Sequence, residues 1–145
     1  MIVKVTGGSK SQKQHTQRMV EFCIKKLMPR MKTLDIEVKL CKPTGALGYC
    51  LELDNHRQFE IEIDKTQSLR RLLETVAHEM VHVKQYARRE LHPSTDAWMG
   101  KTYNPKKISY WDLPWEIEAH GREIGLFIRY CETHKLSKHK WTQDN

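Results

Sequence analysis

Apolar residues recur along this chain with two different periods, and the periods place its elements. From about Ser11 to Met31, Met19, Val20, Cys23, Ile24, Leu27 and Met28 return at helical spacing. Pro29 ends or bends that helix in its last turn. The period then drops to two in LDIEVKL (34–40), ALGYCLEL (46–53) and FEIEID (59–64). Strict alternation predicts strands with one buried and one wet face. The turn-prone KPTG and DNHR between them imply a three-stranded antiparallel meander. IVKVT (2–6) reads as a further short strand, closed by Gly7 and Gly8. Helical spacing returns from Gln67 to about Glu90 through Leu69, Leu72, Leu73, Val76, Ala77, Met80 and Val83, with Thr66 or Ser68 as N-cap. Pro93 closes it, and residues 92–113 read as a long loop. A last helix begins near Pro114, a residue suited to a first turn, and runs through EIEAHGREIGLFIRYCETH. The order helix, sheet, helix, long loop, helix makes an α+β domain, and 145 residues fit one such domain.

The second helix carries HEMVH inside ETVAHEMVHVKQYARREL. His78 and His82 are four apart and project from one face of a helix. Two imidazoles so placed can converge on one Zn²⁺. Glu79 lies about 100° round the helix from His78. That position suits a general base acting on water beside the metal rather than a ligand. Eight histidines make an accidental H-E-x-x-H match uncommon but not negligible. The bland alternative is an amphipathic helix with two surface histidines. A catalytic zinc also needs a third protein ligand. The metzincin continuation asks for Gly at 85 and His at 88, where this chain has Gln85 and Arg88, so that class is excluded. A carboxylate from PWEIEAHGREIG (114–125) is the alternative. Glu116 and Glu118 are about 200° apart on a helix, so only one should face the metal. His120 is a further candidate.

HEMVH followed about 36 residues later by a helical Glu-Ala dipeptide resembles the gluzincin metallopeptidases. The likeness is to their minimal single-domain members, including SprT-like and phage-encoded peptidases, and covers roughly residues 34–134. It implies a minimal zincin-like fold and peptide hydrolysis. As third ligand it implies the glutamate directly before a small residue, here Glu118 before Ala119, with Glu116 as the alternative. It also implies a Tyr or His donor for the oxyanion, for which Tyr103, Tyr110 and His120 are candidates. An extended substrate would pair with a sheet edge, read here at FEIEID. The chain departs from the family at Arg122, four residues after Glu118, where an acceptor often supports a zinc histidine. Were Glu116 the ligand, His120 would stand in that supporting position.

Composition adds partners. With 30% charged and 39% hydrophobic residues the chain is neither disordered nor membrane-spanning. The N-terminus has no signal-peptide pattern, so a cytoplasmic protein is expected. Cys23, Cys41, Cys50 and Cys131 form no CxxC, which points to reduced thiols, although a Cys41–Cys50 cross-strand pair is conceivable. The net charge of +7 gathers at Arg88–Arg89, Lys106–Lys107 and the tail 135–145, a segment that reads as basic and free to be flexible. A solvated surface is the plain explanation. Attraction to nucleic acid, with Trp141 stacking on a base, is the sharper one. The SprT likeness points the same way, toward DNA-associated protein substrates.

Overall fold

The computed structural model describes residues 1–43 and 45–143. Thr44 of the KPTG turn and the last two residues of the basic tail lie outside the described residues.

Strand β1 (Ile2–Gly7) is followed by helix α1 (Lys10–Leu27). Ser9 caps α1 in a reciprocal pair with Gln12: the Ser9 hydroxyl accepts from the Gln12 amide, and the Gln12 side chain accepts from the Ser9 amide. Strands β2 (Asp35–Cys41), β3 (Gly48–Glu52) and β4 (Gln58–Asp64) come next, then α2 (Leu69–Ala87). A small hairpin of β5 (Ala97–Trp98) and β6 (Lys101–Thr102) sits in the long connection to α3 (Pro114–Thr133). A 3-10 turn at Tyr110–Asp112 leads into α3, which begins on Pro114. Ser68, not Thr66, caps α2, by accepting from the Arg71 amide.

The α+β class stands, but the sheet is not the antiparallel meander expected. It has four strands in the order β1-β2-β4-β3. β1 and β2 are parallel, β2 and β4 are parallel, and only β3 runs antiparallel, against β4. The α1 crossover joins the first parallel pair. The segment containing β3 joins the second, and it exceeds the dozen residues such a crossover needs. Alternation misled because it reports only that one face is wet. Ile36, Val38, Leu40, Phe59, Ile61 and Ile63 are buried beneath the helices. Glu37, Lys39, Glu60 and Glu62 stay half-exposed on the other face, where Lys39 pairs with Glu60.

α1 and α2 pack against the sheet on that covered side, and α3 packs against both of them. The core joins α1 (Met19, Cys23), α2 (Leu72, Val76, Met80) and α3 (Phe127, Tyr130). α2 is central, lying against both other helices and against β3 and β4. The tail folds back as far as it is described. Trp141 packs its ring 4.9 Å from that of His15 and 6.2 Å from that of Phe127. Thr142 is buried and its carbonyl accepts from Arg70. All four cysteines are free, and β4 lies between the strands of Cys41 and Cys50. Among the described residues no helix is long and apolar enough to cross a membrane.

Candidate metal centre

α2 is buried along most of its length, so its polar residues need partners. His78 and His82 are each 8% exposed, and Glu79 is 5% exposed. The two histidines turn their Nε2 atoms toward each other at 3.2 Å. Glu116, in the first turn of α3, closes a triangle: its Oε1 lies 3.1 Å from His78 Nε2 and 3.2 Å from His82 Nε2. Tetrahedral ligands at 2.0–2.1 Å from a zinc ion stand about 3.3 Å from one another. The three atoms can therefore hold one metal ion with little movement.

The hydrogen bonds behind the triangle assign the imidazole tautomers. Gln85 is fully buried and donates its amide to the Trp115 carbonyl at 2.9 Å and to Glu118 Oε1 at 3.0 Å. Its Oε1 is left to accept from His82 Nδ1 at 2.8 Å. His78 Nδ1 donates to Glu123 Oε2 at 2.8 Å. Both Nε2 atoms thus present lone pairs toward a carboxylate oxygen. Three acceptors at such distances repel unless a proton or a cation sits among them. Either one would relieve the repulsion, and the electrostatics of the site favour a proton on the imidazoles. Burial alone would depress the His78 imidazolium, but the Glu116 and Glu123 carboxylates outweigh burial and raise it to about 9. Burial alone would raise Glu116, but the two imidazoles hold it well below the usual carboxylate range.

Glu118, the third ligand implied by the family likeness, faces elsewhere. It accepts from Lys84 Nζ at 2.6 Å, Gln85 Nε2 at 3.0 Å and Arg122 Nε at 3.0 Å. Two residues along α3 turn it away from the triangle that Glu116 completes. The acceptor behind His78 is neither residue 122 nor His120 but Glu123, which also lies 3.2 Å from His120 Nδ1. A second group, His78, His120 and Glu123, could also hold an ion. The Nε2 triangle is the more buried of the two, with both of its histidines enclosed.

Glu79 makes no hydrogen bond or ion pair among the described residues. Burial raises its carboxyl against the opposing pull of His82 and His78. It borders the open cleft on both sides of the triangle. The Tyr110 hydroxyl donates to Glu116 Oε1 at 3.0 Å and lies 2.9 Å from His120 Nε2. Burial and the Glu116 charge raise its pKa, so it stays a donor. Trp111 lies over His120, with ring centres 4.9 Å apart. Tyr103 is not part of this site. It stands edge-on to Trp115 in a separate apolar cluster with Leu91 and Leu113.

Gln85, Glu123 and Lys84 escaped sequence reading. Glu123 had a signal, since it follows Glu116 by two helical turns and so shares its face. Gln85 follows His82 by three residues and looked only like a failed metzincin glycine. Lys84 is a buried cation held by Glu118 and by Glu90 at 2.9 Å, and nothing local marks it as buried. In comparisons with protein-family models, with curated proteins and with solved structures, the chain matches none.

Proposed function

We propose that this protein is a zinc-dependent peptidase, with His78, His82 and Glu116 holding the ion and Glu79 as general base. The observation that carries the reading is the conjunction of a triangle of lone pairs at zinc-ligand spacing with a buried, unpartnered carboxylate beside it. Two imidazoles and one carboxylate are a donor set that suits zinc and leaves a coordination position open. A bound zinc ion supplies Lewis acidity, which makes water a nucleophile near neutral pH and polarises a carbonyl.

The chain's own residues do the rest. Glu79 takes a proton from the attacking water and returns it to the leaving amine. Its raised affinity for protons suits both halves of that task. The Tyr110 hydroxyl, with His120 beside it, donates to the oxygen on which negative charge develops. Glu123 and Gln85 fix the two imidazoles so that Nε2 remains a ligand. The strand offered to an extended peptide is β3 rather than FEIEID, because β4 is enclosed by β2 and β3. β3 is a sheet edge, and Gly48 from it lines the cleft of about 310 Å³ beside His78 and Glu79. A peptide added there would gain main-chain hydrogen bonds.

Elemental analysis of purified protein tests the ion: about one zinc per chain is expected, and His78→Ala should abolish it. Glu79→Gln should keep the zinc and lower peptide hydrolysis by about 100-fold or more. A Glu79→Gln variant as active as the parent would end the general-base assignment. The alternative of a basic nucleic-acid-binding module gains nothing from Trp141, whose ring is packed against His15 and Phe127.

A further inference from the structure

The cleft continues past the metal triangle toward the N-terminal end of α2. There it is lined by Thr75, Glu74 and Arg71 of α2, by Leu47 just ahead of β3 and by Ile124 of α3. Leu47 and Ile124 are close to half exposed, at 49% and 48%. Apart from Glu79, which belongs to the proposed chemistry, the carboxylates lining this cleft already have partners. Glu123 accepts from His78, and Glu74 accepts from Arg70 at 2.8 Å. Arg71 is exposed, and its guanidinium makes no hydrogen bond or ion pair among the described residues. Among the described residues it is therefore the cation of this cleft that has no carboxylate partner.

Resting on the peptidase reading, we infer that Arg71 is a specificity residue that reads a carboxylate on the substrate roughly three residues from the cleaved bond. Arg71, Thr75, His78 and His82 fall on one stripe of α2. Seven residues separate Arg71 from His78, a rise of about 10 Å along the helix. An extended peptide advances about 3.3 Å per residue, so the third residue from the reacting carbonyl comes level with the guanidinium. A planar guanidinium pairs with a carboxylate through two parallel hydrogen bonds. Leu47, ahead of β3, and Ile124, on α3, line the same cleft and would hold an apolar side chain at the intervening position. The preferred substrate is then a peptide with an apolar residue followed outward by a carboxylate. That carboxylate comes from an aspartate or glutamate side chain or from the chain end.

The test is cleavage, by the zinc-loaded full chain, of fluorescent peptides with one Asp, Asn or Lys walked along an otherwise neutral sequence. Each peptide is made with a free and with an amidated C-terminus. The expected result is a kcat/KM roughly three- to five-fold higher for Asp than for Asn when the charge sits about three residues from the cut, the size of an exposed ion pair. Arg71→Ala should bring that ratio to about one, and Arg71→Glu should shift the preference to Lys. Both variants are exposed substitutions whose folding is checked by melting temperature. Persistence of the preference in amidated peptides assigns it to a side chain, and its loss on amidation assigns it to the chain end. Equal cleavage of the Asp, Asn and Lys series, or an acidic preference surviving in Arg71→Glu, overturns the inference and leaves the peptidase reading standing. No cleavage of any peptide by zinc-loaded protein overturns both.

Discussion

Glu116 and Glu118 are two residues apart, and a helix turns about 200° between them, so they meet different partners. Glu116 reaches two imidazoles, whereas Glu118 neutralises the buried Lys84. Zinc affinity separates the two positions. Glu116→Gln should weaken it by more than about 100-fold, and Glu118→Gln by less than about ten-fold while costing about 1–3 kcal/mol of stability. A chelator competition titration reads the first quantity and urea unfolding the second. The opposite ranking of zinc affinities would return the ligand role to Glu118. Gln85→Met keeps the volume but removes the acceptor for His82 Nδ1, so zinc affinity should drop by roughly 10- to 100-fold. His78, Glu79 and His82 were legible because their relation is local: one helix and a four-residue spacing. The third carboxylate was not, because its place depends on how α3 is rolled against α2. The α3 sequence carries two apolar stripes. Trp115, Ala119, Phe127 and Tyr130 are buried, while Ile117, Ile124 and Ile128 are exposed. A roll that buried the isoleucines would have aimed different carboxylates at the histidines, and nothing in the spacing chooses between the two.

At the scale of elements, periodicity located every helix and strand of the core to within a few residues, because burial on one face leaves a pattern in each. It could not order the strands. Pairing partners are chosen by crossovers and by packing on α1 and α2, and β2 keeps the same alternation whichever strand lies beside it. The site depends on one such packing contact. Gly48 begins β3 against α2, and a Cβ there would stand 2.8 Å from Thr75 Cγ2 and 3.1 Å from the Glu62 carbonyl oxygen. The strand that borders the cleft is held close to α2 by that missing side chain. Gly48→Ala should cost about 1–3 kcal/mol and lower peptide hydrolysis by displacing β3. Thr75→Ser removes the nearer methyl, so the double variant should recover part of the stability lost. Urea midpoints of the four proteins in the cycle measure this. Strict additivity would mean that the contact is not what Gly48 protects.

At the scale of the molecule, the triangle should couple folding to pH in opposite directions with and without a bound metal. In the metal-free fold His78 is raised from 6.5 to about 9. A raised pKa means that the folded state binds the proton more tightly than the unfolded chain does. Its contribution is complete below about pH 6.5 and is lost as pH rises through about 9. The metal-free protein should therefore melt at progressively lower temperature between pH 6.5 and 9. Metal binding needs the same Nε2 as a lone pair, so a proton competes with the ion. At fixed free zinc the apparent affinity should fall about ten-fold per pH unit below about 9. At free zinc a thousand-fold above Kd the ion adds about 4 kcal/mol, an increase of roughly 10 °C in Tm for a chain of this size. The gap between zinc-loaded and metal-free melting temperatures should accordingly widen from pH 6.5 to 9 and close on adding a chelator. Parallel melting curves across that range would mean that His78 holds neither proton nor metal as the triangle requires. A His78→Ala protein, lacking the titrating group, should show no zinc-dependent gap at any pH.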